Sequence, residues 1–203
     1  HAHLYSIDPV STMEYITRSH GYLVYDTLFA LDENLEPQPQ MVSEWSVSED
    51  QLTWSFTLRP DQRWHDGTPV TAEDCVASLL RWGARDGQGL SLVANIQAIS
   101  TTSDDSFTIT LRGPYPRLLD DLAKTSLNVP FMMPKRIAQT SPYVPITDAT
   151  GSGPYRFVAE EWDPGKLAVY VRNEDYVPRD EPTSFGAGAK HAYFDRIELV
   201  GYV

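Results

Sequence analysis

Leu52, Trp54, Phe56 and Leu58 alternate with Thr53, Ser55, Thr57 and Arg59, a period of two that predicts a strand with one buried face. Phe107, Ile109 and Leu111 repeat the pattern and predict a second strand, entered through the turn signal Asp104-Asp105. Between them, Thr71-Ala72-Glu73-Asp74 predicts a helix start. The Thr71 hydroxyl is placed to accept a backbone N–H, the two acids suit the positive end of the helix dipole, and Ala72, Cys75, Val76, Leu79 and Leu80 form an apolar side. A further helix is expected around Leu90 to Ile99. Another is expected from Pro116 to Lys124, with proline in the first turn where its missing N–H costs least, followed by the apolar run Val129 to Met133.

Upstream, Ile16, Leu23, Val24 and Leu28 predict the buried face of a helix, and Leu31-Asp32-Glu33-Asn34 turns the chain out of it. Downstream, Pro154 to Trp162 and Lys166 to Asn173 read as a hairpin about Asp163-Pro164-Gly165. Pro182 to Ala189 has linker composition and reads as a surface loop, and a last strand is expected from Tyr193 to Val203. The chain thus divides into three stretches, 1 to about 34, 35 to about 150, and 151 to 203, without internal repeats. The fold class is mixed α/β.

Composition narrows the function more than the fold. With 203 residues, 41% hydrophobic and 22% charged, the chain can bury a core of one large or two small domains. No apolar run approaches the roughly 20 residues of a membrane-spanning helix. Sixteen basic against 28 acidic residues give a net charge of −12, which opposes phosphate backbones and anionic membranes, so nucleic acid is not an expected partner. Cys75 is the only cysteine and falls on the apolar side of its helix, where an inert buried thiol is expected. The sequence carries no initiating methionine and no charged-then-apolar leader, so His1 is expected to follow a processing or cloning boundary.

Candidate chemistry is sparse. His65-Asp66 could suggest a base and its orienting acid, but neighbours in a turn rarely bond to each other; Gly67 after Asp66 instead calls for a turn with positive φ. Glu160 and Glu161 point to opposite faces if they lie on a strand, so they cannot flank one glycosidic bond. Gly151-Ser152-Gly153 lacks the lysine and the helix of a phosphate-binding loop. No histidine has the partners of a zinc site. Only His1-Ala2-His3, if His1 carried a free amine, has the spacing that wraps Cu(II) or Ni(II), and a native chain continuing before His1 removes that possibility. No cofactor and no metal site are expected.

The segment Leu58-Arg59, Trp64, Asp66-Gly67, Val70-Thr71-Ala72 and Asp74 resembles the signature of the extracytoplasmic solute-binding proteins of family 5, which serve peptide, nickel and related ABC importers. Ile7-Asp8-Pro9, Val24 to Phe29, Gly151 to Tyr155 and Val171 to Tyr176 extend the resemblance along essentially the whole chain. It implies a lobe of the periplasmic-binding-protein kind. Residues 1–34 and 151–203 would belong to that lobe, 35–150 would form a small α/β domain inserted into it, and this N-terminal portion would lack the second lobe. It also implies a substrate-binding component that captures a peptide or other small organic solute by hinge closure outside the inner membrane, periplasmic or lipid-anchored, and delivers it to the membrane subunits of an ABC transporter. No catalytic residue is then required. By position along the motif order, Met13, Glu14, Tyr15, Leu90, Asn128 and Val129 are the expected ligand-binding residues; Leu90 and Asn128-Val129 stand where nickel-binding members present an aromatic and an arginine, which favours an organic solute. A secreted hydrolase and a stand-alone interaction domain are the competing classes, the first marked by convergent carboxylates, the second by a large exposed apolar face.

Overall fold

The computed structural model describes residues 3–201, so His1 and Ala2 of the His1-Ala2-His3 spacing lie outside the described residues. In chain order the elements are α1 (Tyr15–Val24), β1 (Asp26–Thr27), β2 (Phe29–Leu31), β3 (Pro37–Pro39), β4 (Val42–Val47), β5 (Thr53–Leu58), α2 (Ala72–Gly83), α3 (Gly87–Asn95), β6 (Ile96–Thr101), β7 (Ser106–Leu111), α4 (Leu118–Leu122), β8 (Phe131–Met132), α5 (Lys135–Ala138), β9 (Tyr155–Phe157), a 3-10 turn (Ala159–Glu161), β10 (Leu167–Arg172) and β11 (Arg196–Val200). The class is mixed α/β, as the sequence predicts.

The alternating segments pair with each other. β4, β5, β7 and β6 form an antiparallel sheet in that order, with Trp54 opposite Ile109 and Phe56 opposite Phe107. The paired positions point to one face, and there Trp54, Phe56, Leu58, Phe107, Ile109 and Leu111 are buried against Cys75, Leu79, Trp82 and Leu92 of α2 and α3. A second core gathers Leu4, Ile7, Val24, Tyr25, Val129, Phe131 and Tyr170 between α1, the segment through β8, and the sheet β11-β10-β9.

α2 begins where the sequence places it. The Thr71 hydroxyl accepts from Asp74 N–H, and Asp74 Oδ2 accepts in return from Thr71 N–H at 2.9 Å, a reciprocal cap. Asp74 does more than cap: Oδ2 also accepts from Trp64 Nε1 at 3.1 Å and Oδ1 from Lys135 N–H at 2.6 Å. Gly67 sits at φ +85° in the preceding turn, the left-handed region a glycine enters without strain.

Five elements differ from expectation, one being the first strand of the hairpin, expected from Pro154 to Trp162, which ends at Phe157 before the 3-10 turn Ala159–Glu161. The helix expected around Leu90 to Ile99 starts and ends earlier, because the Asp86 carboxylate accepts from Gln88 and Gly89 N–H and caps α3 there. Ile96 to Thr101, rich in β-branched residues, pairs with β7 instead of continuing the helix. The helix expected from Pro116 to Lys124 shrinks to the five residues of α4. α1 buries Thr17, His20, Gly21 and Val24, whereas Ile16 and Leu23 are half-buried beside them and Leu28 lies beyond the helix. The reason is close approach: a Cβ on Gly21 would stand 2.3 Å from the Phe131 ring, so the helix presses its smallest residue onto β8. The last strand opens at Arg196, leaving Tyr193 and Phe194 exposed.

The loop Pro182 to Ala189 is a built turn rather than a spacer. Gly186 N–H donates to Leu31 O, Gln40 donates to Gly188 O, and Gly188 at φ +79° lies where a Cβ would strike Pro182 O at 2.1 Å. Cys75 is fully buried, and burial raises its thiol far above the usual range. Trp54 is 8% exposed and stacks on Trp45 with ring centres 5.7 Å apart, so Trp54→Ala is expected to cost about 3–5 kcal/mol. Equilibrium denaturant unfolding checks this; an unchanged midpoint would remove Trp54 from the core.

Candidate functional site

The chain enters the site through a loop pinned at both ends. Asp8 is fully buried, and its carboxylate accepts from Arg81 Nη1 at 3.0 Å and Nη2 at 2.7 Å, from Val10 N–H at 2.9 Å and from Ile146 N–H at 3.1 Å. Arg81 is equally buried and donates onward to Thr140 O and Val144 O. This two-pronged geometry is the strong form of a charged pair. The loop carbonyls that follow converge on one amide: Asn128 Nδ2 donates to Pro9 O at 2.9 Å, Val10 O at 3.1 Å and Thr12 O at 2.8 Å. Asn128 O in turn accepts from Trp82 Nε1 of α2 at 2.8 Å.

With their backbone fixed from behind, Met13, Glu14 and Tyr15 emerge into solvent at the start of α1, Met13 63% and Tyr15 68% exposed. Asn128 and Val129 are placed differently. Asn128 is 5% exposed with its side-chain N–H groups committed to the loop, and Val129 is fully buried in the second core. Leu90 is exposed on α3, whose cap Asp86 forms a buried ion pair with Lys124. The fold therefore brings Met13, Glu14, Tyr15 and Asn128 together, keeps Val129 behind them, and sets Leu90 apart on α3, which packs on α2 and α4.

Two surface residues escape the sequence reading. Leu127, beside Asn128, is exposed with φ +56°, a conformation that a branched residue adopts at a cost of order 1–3 kcal/mol. Arg18 lies one turn after Tyr15, its guanidinium 4.7 Å from the centre of the Tyr15 ring and its Nη1 donating to Thr125 O at 3.2 Å. Tyr22 Oη donates to the same carbonyl at 3.3 Å, and burial pushes its hydroxyl pKa up to about 12 against the opposing charge of Arg18. The i, i+3 spacing of Tyr15 and Arg18 was the available signal. A pocket of about 300 Å³ opens beside Arg18 and Tyr22. A larger groove of about 670 Å³ runs between α2, β6 and α5; neither cavity is lined by any of the six expected residues, but the smaller one is lined by Arg18, which lies over the Tyr15 ring, and so adjoins the site.

The candidate dyads dissolve on inspection. His65 Nε2 lies 3.0 Å from Gly153 O and its Nδ1 accepts from Gly151 N–H at 3.2 Å, so the ring ties the turn to the Gly151–Gly153 loop as the Nε2–H tautomer. That loop is glycine-rich for close approach: a Cβ on Gly151 would stand 1.9 Å from Val24 O. Asp66 faces Thr68 and Arg136 instead of His65. Glu160 and Glu161 occupy the exposed 3-10 turn, where Glu161 pairs with Arg196. Among the described residues, no three His, Cys, Asp or Glu side chains form a group able to hold a metal ion.

Residues 36–202 match the model of the bacterial extracellular solute-binding proteins, family 5 Middle. The chain is 43% identical over 190 residues to the probable peptide ABC transporter periplasmic-binding protein y4tO of Sinorhizobium fredii, covering 94% of this chain and 35% of that protein. It is 32% identical over 146 residues to the probable D,D-dipeptide-binding periplasmic protein DdpA of Escherichia coli, covering 70% of this chain and 27% of the relative. The chain thus spans about a third of the length of the curated relatives it matches. Among solved structures, the dipeptide binding protein from Pseudoalteromonas sp. SM9913 in complex with Met-Leu superposes with a TM-score of 0.79 at 19% identity, covering 99% of this chain and 42% of that one. AgaA from A. tumefaciens R10 in complex with agropinic acid gives 0.76 at 23% identity, covering 99% and 38%. At these identities the structures establish the fold.

Two outcomes follow from the geometry. Asp8→Asn leaves the Arg81 charge buried without its counter-ion and is expected to cost about 3–5 kcal/mol in urea unfolding, while Asp8→Leu with Arg81→Met loses less than either single substitution. An Asp8→Asn loss under about 1 kcal/mol would mean that the pair is solvated. The second outcome concerns pH. Burial lowers the pKa of His65 from 6.5 to about 4, and of His20 to about 3. Below pH 6.5 the unfolded chain takes up protons that the folded one refuses, so stability present at pH 7 is lost as pH falls from 6.5 toward 4, by on the order of 1–3 kcal/mol for His65. His65→Gln should flatten the fall in urea midpoint between pH 6.5 and 4; equal slopes would rule out His65 as a source.

Proposed function

We propose, from the premise that this chain belongs to the bacterial extracellular solute-binding proteins of family 5, that it supplies one wall of a site for a peptide or other small organic solute, held outside the inner membrane for delivery to the membrane subunits of an ABC transporter. We assign residues 1–34 and 151–203 to the lobe and 35–150 to the domain inserted into it, the end of that domain, from Val129 to Ile146, packing back into the core of the lobe. The observation that carries the reading is the Asn128 staple: a buried amide shares its two N–H donors among three loop carbonyls from behind, so that Met13, Glu14 and Tyr15 face outward on a rigid edge. Leu90 extends the wall, and Asn128 and Val129 support it. Rigid presentation suits binding because little ordering remains to be done when the solute arrives.

A second wall closes over the solute, which binds the closed state better and so shifts the population toward it. No bond is made or broken. The organic class is favoured by the exposed apolar and aromatic surface at Met13, Tyr15 and Leu90.

The test uses the protein expressed from its complete reading frame and a panel of di- and tripeptides, with isothermal titration as the readout. Met13→Ala with Tyr15→Ala is expected to weaken binding of the best peptide at least about tenfold, roughly 1.4 kcal/mol, with the unliganded melting temperature unchanged. The 203-residue chain alone should bind at least about a hundredfold more weakly, roughly 2.7 kcal/mol, since one wall leaves the solute half wet. A panel in which nothing binds would defeat the peptide reading, and a double variant with undiminished affinity would defeat the assignment of Met13 and Tyr15 to the wall.

A further inference from the structure

On the proposed solute wall, one cation is held in place without a counter-ion among the described residues. α1 presents Tyr15, Arg18 and Tyr22 along one side, at the spacing of residues that neighbour on a helix. Two contacts orient the Arg18 guanidinium: it lies over the Tyr15 ring, and its Nη1 donates to Thr125 O, the carbonyl that also receives Tyr22 Oη. Among the described residues Arg18 makes no ion pair, not even with Glu14 one turn before it. Lys124, the other cation at the pocket, is already neutralised by the buried Asp86. The pocket therefore holds a guanidinium whose Nε and Nη2 donors are bonded to no acceptor among the described residues.

A guanidinium offers a planar fork that matches a carboxylate with two parallel bonds, and stacking on an aromatic ring leaves its edge free for that contact. Beside Thr27 and Thr125, the walls carry the rings of Tyr22, Phe29 and Phe185. Phe185 stands at φ +51° on the turn whose Gly186 N–H is bonded to Leu31 O, so the loop holds its aromatic ring out at a backbone cost. Volume of about 300 Å³ suits a carboxylate and one adjoining apolar group rather than a whole peptide. In a chain of net charge −12, an anionic solute gains nothing from the overall field, and a local cation is what can select it.

Resting on the solute-binding reading above, we infer that Arg18 takes a carboxylate of the solute at this pocket, with Phe29 and Phe185 flanking the neighbouring apolar group. The site selects acids over their amides.

The experiment titrates the protein expressed from its complete reading frame with three probes: Leu-Leu, Leu-Leu amide and Glu-Leu amide, whose only carboxylate is on a side chain. Wild-type protein is expected to prefer a carboxylate-bearing probe over Leu-Leu amide by about 30-fold, roughly 2 kcal/mol. Arg18→Gln should abolish that preference, weakening the carboxylate-bearing probes far more than Leu-Leu amide, and Arg18→Lys, which keeps the charge but not the fork, should fall between. A loss confined to Leu-Leu assigns the terminal carboxylate to Arg18, and one confined to Glu-Leu amide assigns the side chain. Equal binding of acid and amide, or a preference that survives Arg18→Gln, overturns the role of Arg18 and leaves the solute-binding reading standing. No binding of any probe by wild-type protein defeats both.

Discussion

Asp8 and Arg81 set a full negative and a full positive charge where neither meets water, and three separate parts of the chain are arranged to answer them. Four of the five guanidinium N–H groups are spent, two on the carboxylate and two on the carbonyls of Thr140 and Val144, and both carboxylate oxygens also take a backbone N–H. Unanswered, each buried ion would cost several kcal/mol. Because the partners come from the opening loop, from α2 and from residues 140–146, none of these can shift without exposing a charge to an apolar interior. The Asn128 staple and the outward set of Met13 to Tyr15 depend on that fixed frame.

The strands of the larger sheet were legible because each carries its own alternation, and the start of α2 because Thr71 and Asp74 satisfy each other within one turn. Such features need only neighbours in sequence. What was not legible depends on distant partners. Gly21 faces the core because Phe131 lies against it, and Ile96 to Thr101 leaves the helical register because β7 offers a free edge. The site divides the same way: exposure of Met13, Glu14, Tyr15 and Leu90 agrees with a surface role, but burial of Asn128 follows from carbonyls more than a hundred residues away. Arg18 escaped notice because an arginine on a polar helix face looks the same in sequence whether or not a carboxylate answers it.

The most recognisable run of the sequence acts as a joint. Trp64 and Lys135 meet on the Asp74 carboxylate, while His65 reaches the Gly151–Gly153 loop and its carbonyl accepts from Arg156 at 2.7 Å. Arg156 continues to Asn173 and Asp175. The signature thus links the sheet β4-β5-β7-β6 with its helices to the hairpin of β9 and β10. Its histidine and acid are spent on architecture, which is why their catalytic reading finds no geometry to support it.

The buried state of Cys75 bears on how motion in this chain can be followed. A thiolate is the reactive form toward maleimides and iodoacetamides, and here the single cysteine is both enclosed and held as the neutral thiol. Such reagents pass it by in the folded chain. A cysteine introduced at an exposed edge, such as position 193 at the tip before β11, becomes the single labelling point without removal of the native residue, so a fluorophore or spin label reports from one known place on an otherwise unmodified chain.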